Sequence, residues 1–171
     1  MKRITILLTA VLMATTAPAQ DWAKAKLEKS PRHQEWVKVT HDKRDLSCFI
    51  VYPEVKDKAT AVVLIHEIFG LTDWVRSVAD ELAAHGYIAI APDLLSGMGP
   101  KGGDSSSFDG TDAARKAVSE LPPDQVTADL NAVAAYVAKL HAALRRLVYR
   151  LQSEFRLQAV HRTAENPSLE P

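Results

Sequence analysis

The chain has 171 residues, and its 21 Lys and Arg balance its 21 Asp and Glu, so the formal net charge is zero. This balance argues against a nucleic-acid-binding protein, whose surface is expected to be strongly basic. The single cysteine excludes an intramolecular disulfide, and the length suits one domain.

The N-terminus is typical of a secretory signal peptide. Two basic residues precede an apolar run over 4–13, and Ala17-Pro18-Ala19 forms a small-x-small cleavage site. We therefore predict a signal peptide over 1–19 and a soluble periplasmic or secreted product that does not contact the membrane after cleavage. An apolar N-terminal core helix is the alternative interpretation. A loosely held, Lys-rich lead-in is expected over 20–33.

Two β-prone runs follow, Trp36–Thr40 and Leu46–Tyr52, and a polar turn separates them. This pattern predicts an antiparallel hairpin. Cys48 lies inside the second run, away from any helix terminus or cationic neighbour that would activate a thiol. We therefore interpret Cys48 as a buried packing residue rather than a nucleophile.

The next segment predicts a β-α-β unit. Ala61–Ile65 is a short apolar run of the kind buried on both faces of a parallel sheet. Leu71–His85 has apolar residues at helical spacing, with Thr72 as the N-cap. Tyr87–Ala91 reads as the second buried strand.

His66 and Glu67 come directly after the first of these strands. Ligands bind at the carboxyl ends of the strands in open α/β sheets, so these two residues are candidates for a functional site. The alternative is that they cap the strand end with local hydrogen bonds. A zinc motif H-E-x-x-H would need a histidine at position 70, which is Gly70, so no metal site is predicted.

A loop rich in Gly and Ser is predicted over Leu95–Gly110. Gly97, Gly99 and Gly102 fit the spacing G-x-G-x-x-G, but Pro100 and an acidic, Ser-rich stretch follow where a nucleotide-binding loop would enter a helix. We therefore predict no nucleotide cofactor and expect this loop to serve as a lid or pocket wall.

Helical patterns fill the rest of the chain. A short helix is predicted over Thr111–Glu120, and a longer one begins at Asp124. Apolar residues recur at alternating steps of four and three over Val126–Leu151, which predicts one helix that continues to about Val160. That stripe could pair with a second copy of the chain, or it could be an accidental Leu- and Arg-rich helix with no specific partner.

Three stretches together resemble the dienelactone hydrolase family of α/β-hydrolases: HEIFGL at 66–71, HGYIAIAPDL at 85–94 and DLNAVAAYVAKL at 129–140. The resemblance covers 34–140. It implies an α/β fold, the N-terminal half of an α/β-hydrolase sheet, with the hairpin beside two parallel strands and flanking helices. Such enzymes hydrolyse small esters or lactones with a Cys or Ser nucleophile, an Asp and a His, and without a cofactor.

The resemblance also implies roles for two residues. One oxyanion donor of α/β-hydrolases is a backbone N–H in the loop after the third strand, which here is the N–H of Ile68. The family's glutamate at the place of Glu67 lies beside the nucleophile, so Glu67 is expected to take that position.

The chain departs from the family after Leu140. No G-x-[Ser/Cys]-x-G motif occurs, and the serines at 96 and 105–107 lack its flanking glycines, so no nucleophile is found. Residues 141–171 contain five Arg and no Lys, which suggests a frameshift or gene truncation and a tail foreign to the family. A missing fifth strand would leave the third strand as an open sheet edge, a second route to self-association.

Three functions follow from these observations. The first is a hydrolase of small esters or lactones by family, inactive in this chain because the nucleophile, acid and histidine segments are missing. The second is a non-catalytic remnant that self-associates through its C-terminal helix or its open sheet edge. The third is a small-ligand module that uses the region near Glu67 and the 95–110 loop.

Overall fold

The computed structural model describes residues 21–55, 59–140 and, for the backbone alone, 143–151. The predicted signal peptide and the residues beyond 151 lie outside this range. No helix in the described part combines the length and apolarity needed to cross a membrane. The described elements, in chain order, are α1 (Asp21–Glu28), β1 (Gln34–His41), β2 (Arg44–Val51), β3 (Ala59–Ile65), α2 (Asp73–Ala84), β4 (Ile88–Pro92), α3 (Thr111–Ser119), α4 (Pro123–Ala138) and β5 (Ala143–Leu151).

The predicted hairpin is confirmed as β1 and β2, which pair antiparallel from Gln34 opposite Val51 to His41 opposite Arg44. The two residues between the strands have positive φ angles, 43° at Asp42 and 63° at Lys43. Two consecutive positive φ angles are the signature of the type I′ turn, whose twist matches that of the strands it joins. The strands therefore extend up to the turn, beyond the predicted bounds.

The predicted β-α-β unit is also confirmed, and with it the α/β fold. β3 and β4 run parallel, with Val63 opposite Ile90, and β2 pairs antiparallel with the other side of β4. The strand order in the described sheet is β1-β2-β4-β3-β5. This order places β3 and β4 in the interior of the sheet, which explains their almost unbroken apolar sequence.

Helices cover both faces of the sheet. α4 packs Val133 and Val137 against one face, and α2 packs three residues against the other: Val75, Ala79 and Ala83. Thr72 caps α2 as predicted, because its hydroxyl oxygen accepts a hydrogen bond from the Val75 N–H at 3.4 Å. The sheet therefore lies between two helix layers, and the helices leave the carboxyl ends of β3 and β4 to the loops that follow these strands.

The expected loose lead-in is wrong. Residues 21–28 form α1, which buries Ala23 and Leu27, and the segment after it binds α2. The Arg32 guanidinium contacts both carboxylate oxygens of the fully buried Asp80, at 2.9 and 2.5 Å. Two apolar residues four positions apart are enough to form a buried helix face here, because α2 offers a surface to pack against.

The predicted long C-terminal helix is wrong as well. α4 ends at Ala138, and 143–151 form β5, which pairs parallel with β3 from Ala59 opposite Ala143 to Ile65 opposite Leu151. β5 also occupies the edge of β3 that was expected to be open. Backbone pairing with a long, buried strand outweighs the local heptad pattern, since an unpaired strand edge leaves its N–H and C=O groups without partners. The helix over 126–151 is therefore no route to self-association.

Candidate functional site

The candidate site lies where β3 and β4 end. Because the two strands are parallel, their carboxyl ends share one edge of the sheet, where ligands bind in folds of this class. The residues that directly follow them, His66 after β3 and Asp93 after β4, are both buried, with 1% and 2% of their surface exposed. Buried polar side chains at such a position require hydrogen-bonding partners.

His66 connects the two strand ends. Its Nε2 lies 3.2 Å from the Leu94 backbone nitrogen, and its Nδ1 lies 2.8 Å from the Glu67 carbonyl oxygen. A backbone N–H can only donate, so Nε2 accepts and Nδ1 carries the proton that goes to Glu67. Burial lowers the pKa of His66, although the Glu67 carbonyl and the nearby Asp93 favour the charged form.

The ring of His66 is thus neutral, with both nitrogens already used. Only the hydrogen bond to Glu67 is the local contact that the capping interpretation expected, because the other joins His66 to Leu94, 28 positions later in the chain. With both nitrogens occupied, the ring offers no free lone pair to a substrate.

Glu67 and Ile68, the two predicted site residues, lie in a tight turn after β3. The Gly70 N–H donates to the Glu67 carbonyl at 3.1 Å and closes this Glu67–Gly70 turn. Glu67, Ile68 and Phe69 are half-buried. Within the described residues, neither the Glu67 carboxylate nor the Ile68 N–H has a hydrogen-bonding partner.

The loop after β4 forms a wall against this turn. The Asp93 carboxylate accepts hydrogen bonds from the Leu95 N–H at 3.0 Å, the Ser105 N–H at 2.9 Å and the Ser105 hydroxyl at 2.6 Å. The Ser105 hydroxyl oxygen in turn accepts from the Leu71 N–H at 2.9 Å. The loop over 95–110 is therefore fastened to Leu71, between the Glu67–Gly70 turn and α2.

A second buried cluster, which the sequence analysis missed, fastens the other side of this loop. The Arg44 guanidinium donates to the carbonyls of Ser96 and Leu94 at 2.7 and 2.9 Å. Its Nε binds the fully buried carboxylate of Asp129 on α4, which also lies 2.6 Å from the His41 ring. The signal was an aspartate on the apolar stripe of α4, a place where an unpaired charge would be costly.

A polar groove of about 600 Å³ opens between this loop and the start of β2. Its lining includes Lys38, Lys43 and Arg44, but neither Glu67 nor Ile68. Lys38 is paired with Asp45 at 3.0 Å, and Arg44 is bound to Asp129. Most of the positive charge of the groove is therefore neutralised from within the chain.

No activated nucleophile is present among the described residues. Ser96 is buried and donates to the Asp93 carbonyl at 2.6 Å, and no hydroxyl in 21–55 or 59–140 is hydrogen-bonded to a histidine ring. Cys48 is fully buried, as predicted, and burial raises the pKa of its thiol to about 12. The same residues hold no cluster of three His, Cys, Asp or Glu that could bind a metal ion.

Comparison with known proteins places this chain among the α/β-hydrolases. The sequence model of the dienelactone hydrolase family matches residues 46–148, so the match continues past Leu140, the predicted end of the resemblance. A Salmonella typhi protein named as a carboxymethylenebutenolidase is 33% identical over 106 residues, which cover 61% of this chain and 38% of that protein. A Synechocystis protein of the same name is 27% identical over 104 residues, covering 61% and 42%.

The solved structures agree with the sequence match. A Klebsiella pneumoniae protein, described as a dienelactone hydrolase, superposes with a TM-score of 0.59 at 27% identity, over 69% of this chain and 48% of that one. A dienelactone hydrolase-like promiscuous phosphotriesterase from metagenomic libraries has the same fold, with a TM-score of 0.56 at 18% identity. The chain thus spans less than half the length of the relatives it matches.

Proposed function

Because this chain belongs to the dienelactone hydrolase family of hydrolases, we propose that its Glu67–Gly70 turn is the oxyanion-binding part of a site for small esters or lactones. Hydrolysis of an ester or lactone passes through a tetrahedral intermediate with a negatively charged oxygen. Donors that are already oriented toward that oxygen stabilise the transition state. The Ile68 N–H is the donor in this proposal.

One observation carries the proposal. The Ile68 N–H lies in a tight turn at the ligand-binding edge of the sheet, and within the described residues it donates to no protein oxygen. The turn is closed by the Gly70 N–H, and its first residue receives the hydrogen bond of His66. An N–H held in this way is available to a ligand without rearrangement of the backbone.

The role proposed for Glu67 rests on the resemblance and on its position next to the donor. Its side chain is half-buried and makes no ion pair within the described residues. A carboxylate in that position can hold the proton of an adjacent nucleophile in the resting enzyme, or orient it. Glu67 is thus an auxiliary to a nucleophile and cannot replace one.

We also propose that the 171-residue chain alone does not turn over esters. The sequence contains no G-x-[Ser/Cys]-x-G motif, no hydroxyl in 21–55 or 59–140 is hydrogen-bonded to a histidine ring, and burial raises the pKa of the Cys48 thiol. An oxyanion donor without nucleophile and base supplies only part of the catalysis. We therefore assign a small ester or lactone as the substrate of a complete site, to which this chain contributes the oxyanion donor.

A direct assay tests the inactivity of the chain. Purified full-length chain is incubated with p-nitrophenyl acetate and, separately, with an alkyl fluorophosphonate, which phosphonylates activated serines and releases fluoride. We expect no turnover above a Glu67→Ala variant and no mass adduct on the intact chain. A labelled Ser or Cys, or turnover that Glu67→Ala abolishes, would contradict the proposal.

A hybrid tests the oxyanion role. Residues 21–140 of this chain are joined to the part of the Klebsiella relative that the comparison leaves uncovered, and cooperative unfolding establishes that the product folds. The folded hybrid is expected to hydrolyse p-nitrophenyl acetate. Ile68→Pro removes the N–H together with the Ile side chain, and should lower kcat roughly 100- to 1,000-fold, the usual effect of losing one oxyanion donor.

Proline is the mildest substitution that removes this donor, because the second position of a common β-turn accepts its fixed φ angle. Ile68→Ala keeps the N–H and serves as the matched control, with kcat within a few fold of the parent hybrid. A folded hybrid that lacks activity, or one whose kcat is insensitive to Ile68→Pro, would overturn the oxyanion role.

A further inference from the structure

Ser105 is the point at which the loop after β4 contacts the proposed oxyanion site. Both its N–H and its hydroxyl donate to the carboxylate of Asp93, at 2.9 and 2.6 Å. Because the hydroxyl proton is donated to Asp93, the hydroxyl oxygen can only accept in any further hydrogen bond. It accepts from the Leu71 N–H at 2.9 Å. Hydrogen bonds to a carboxylate are short and strong, which fixes the orientation of this hydroxyl.

The Glu67–Gly70 turn is therefore held at both ends. At its start, Glu67 accepts the proton of His66, whose other nitrogen is bound to the Leu94 N–H. Immediately after its end, Leu71 donates to Ser105, which is bound to Asp93. The two anchors thus connect the turn to Leu94 and Asp93, the first two residues after β4. Ile68, whose N–H has no partner among the described residues, lies between them.

Contact at the far end of the turn is close. A Cβ atom added to Gly70 would lie 2.2 Å from the Ser105 hydroxyl oxygen and 2.9 Å from its Cβ, far inside van der Waals distance. Gly70 also has a φ of 77°, in the left-handed region that favours glycine. The turn and the Ser105 side chain therefore fit each other directly, with no layer of other atoms between them.

We propose that Ser105 is a positioning residue for the Ile68 oxyanion donor, acting through Leu71 and oriented by Asp93. Oxyanion donors are effective only when held within about 0.5 Å of the productive geometry. The backbone of a turn has two soft dihedral angles per residue, so its donor needs anchors on both sides. Ser105 supplies the second of these anchors. The inference rests on the proposed function of the Glu67–Gly70 turn.

The test is made by NMR on the full, ¹⁵N-labelled chain, with Ser105→Ala compared to Ser106→Ala. Ser106 is the matched control, because it is exposed and its hydroxyl donates to Asp104 in the same loop rather than bonding to the turn. In Ser105→Ala, the Leu71 amide should exchange with solvent roughly fivefold faster, the usual effect of losing one hydrogen bond. The Ile68 cross-peak should shift or broaden. Neither change is expected in Ser106→Ala.

Asp93→Asn supplies a second variant. Among the described residues Asp93 has no hydrogen bond to Leu71, yet an amide at position 93 can no longer accept from both the N–H and the hydroxyl of Ser105. The Ser105 hydroxyl should therefore be released, and exchange at Leu71 should become faster. A purely structural role of Ser105 in its own loop would alter amides over 95–110 and leave the Ile68 cross-peak unchanged. That result would overturn the proposal.

One measurement needs no variant. In the unmodified chain the Leu71 amide should exchange at least fivefold slower than an exposed amide of the same sequence context. Exchange at the exposed rate would overturn the proposal even if Ser105→Ala failed to fold. The NMR readouts do not depend on ester hydrolysis, so a failure here is distinct from a failure of the oxyanion role in the hybrid.

Discussion

Arg44 on β2 binds Asp129 on α4 through a single guanidinium nitrogen, with Nε 3.0 Å from Oδ1 and 3.2 Å from Oδ2. The carboxylate is fully buried, and the ring of His41 lies 2.6 Å from the same oxygen. The remaining nitrogens of Arg44 hold the carbonyls of Leu94 and Ser96. One ion pair thus connects the hairpin, the helix layer and the loop beside the proposed site.

Asp129→Ala is expected to lower the free energy of unfolding by about 3–5 kcal/mol, because it leaves the Arg44 guanidinium largely buried without its counter-ion. Urea denaturation measures the change. Asp112→Ala on α3 is the matched control. Its pair with Arg115 is exposed, so the loss should be only about 0–1 kcal/mol. Equal losses in the two variants would show that the buried pair contributes no more than a surface one.

The Asp80–Arg32 pair predicts a dependence of stability on acid pH. Burial opposes ionisation of Asp80, but hydrogen bonds from Arg32 and Ser30 outweigh it and lower the pKa of Asp80 below its ordinary 3.8. Above that ordinary value the native carboxylate contributes its full stability, and the contribution is lost as the pH falls through the lowered native pKa. The stability advantage of the unmodified chain over Asp80→Asn should therefore shrink as the pH falls below about 4.

Urea denaturation at several pH values between 6 and 2.5 measures this difference. In an Arg32→Met background, which lacks the main hydrogen-bond donor, the difference should depend much less on pH. A constant difference between the unmodified chain and Asp80→Asn across the acid range would contradict the prediction.

The lowered pKa of His66 predicts a second pH range, above that of Asp80, in which stability depends on pH. Burial lowers the pKa of His66 below its ordinary 6.5, so between the two values the unfolded chain binds a proton that the native chain does not. Stability is therefore complete above pH 6.5 and declines as the pH falls below it. Protonation would also turn the Nε2 acceptor of the Leu94 N–H into a donor.

His66→Gln removes the titrating group while its carbonyl can still accept from Leu94. The variant should be less stable at pH 8, and its stability should decline less between pH 6.5 and 5. Thermal or urea denaturation across this range checks the slope. Parallel curves for the two proteins would show that His66 does not titrate in folding.

Gly70→Ala should lower the free energy of unfolding by more than the left-handed backbone conformation alone explains. Gly102 has the same φ of 77° but no atom within 4 Å of an added Cβ, so it provides a matched control. Gly102→Ala should cost about 1–2 kcal/mol from backbone strain. Gly70→Ala adds the collision with Ser105 and should cost at least about 1 kcal/mol more, the typical lower limit for overpacking.

A double-mutant cycle separates these contributions. In a Ser105→Gly background the extra cost of Gly70→Ala should largely disappear, because the colliding Cβ and hydroxyl are gone. If the excess cost persists without the Ser105 side chain, the contact is not its cause.

The elements that could be predicted from the sequence are those whose signal is local. The hairpin, the buried strands and the capped α2 each carry their own period or capping residue, as in Thr72 before its helix. α1 was missed because only Ala23 and Leu27 mark its buried face among lysines. The strand β5 was missed because leucines at 144, 147 and 151 also fit a heptad, and only the neighbouring β3 selects between the two.

The candidate site divides in the same way. Glu67 and Ile68 could be proposed from HEIFGL and its resemblance, because that stretch is contiguous. The tautomer of His66 depends on Leu94, and the role of Ser105 depends on Leu71, 34 positions earlier in the chain. Neither pairing leaves a pattern in the sequence, since a Ser that anchors a distant backbone N–H and a Ser that faces solvent look alike until the fold brings the partners together.

The anchors of the Glu67–Gly70 turn also constrain when it can acquire its shape. His66 meets Leu94 across 28 positions of sequence, and Leu71 meets Ser105 across 34. During synthesis the turn leaves the ribosome before either of its partners does, and the loop between them must close before the contacts can form. The turn therefore remains without its final geometry until the nascent chain has passed Ser105 and β4 has docked beside β3.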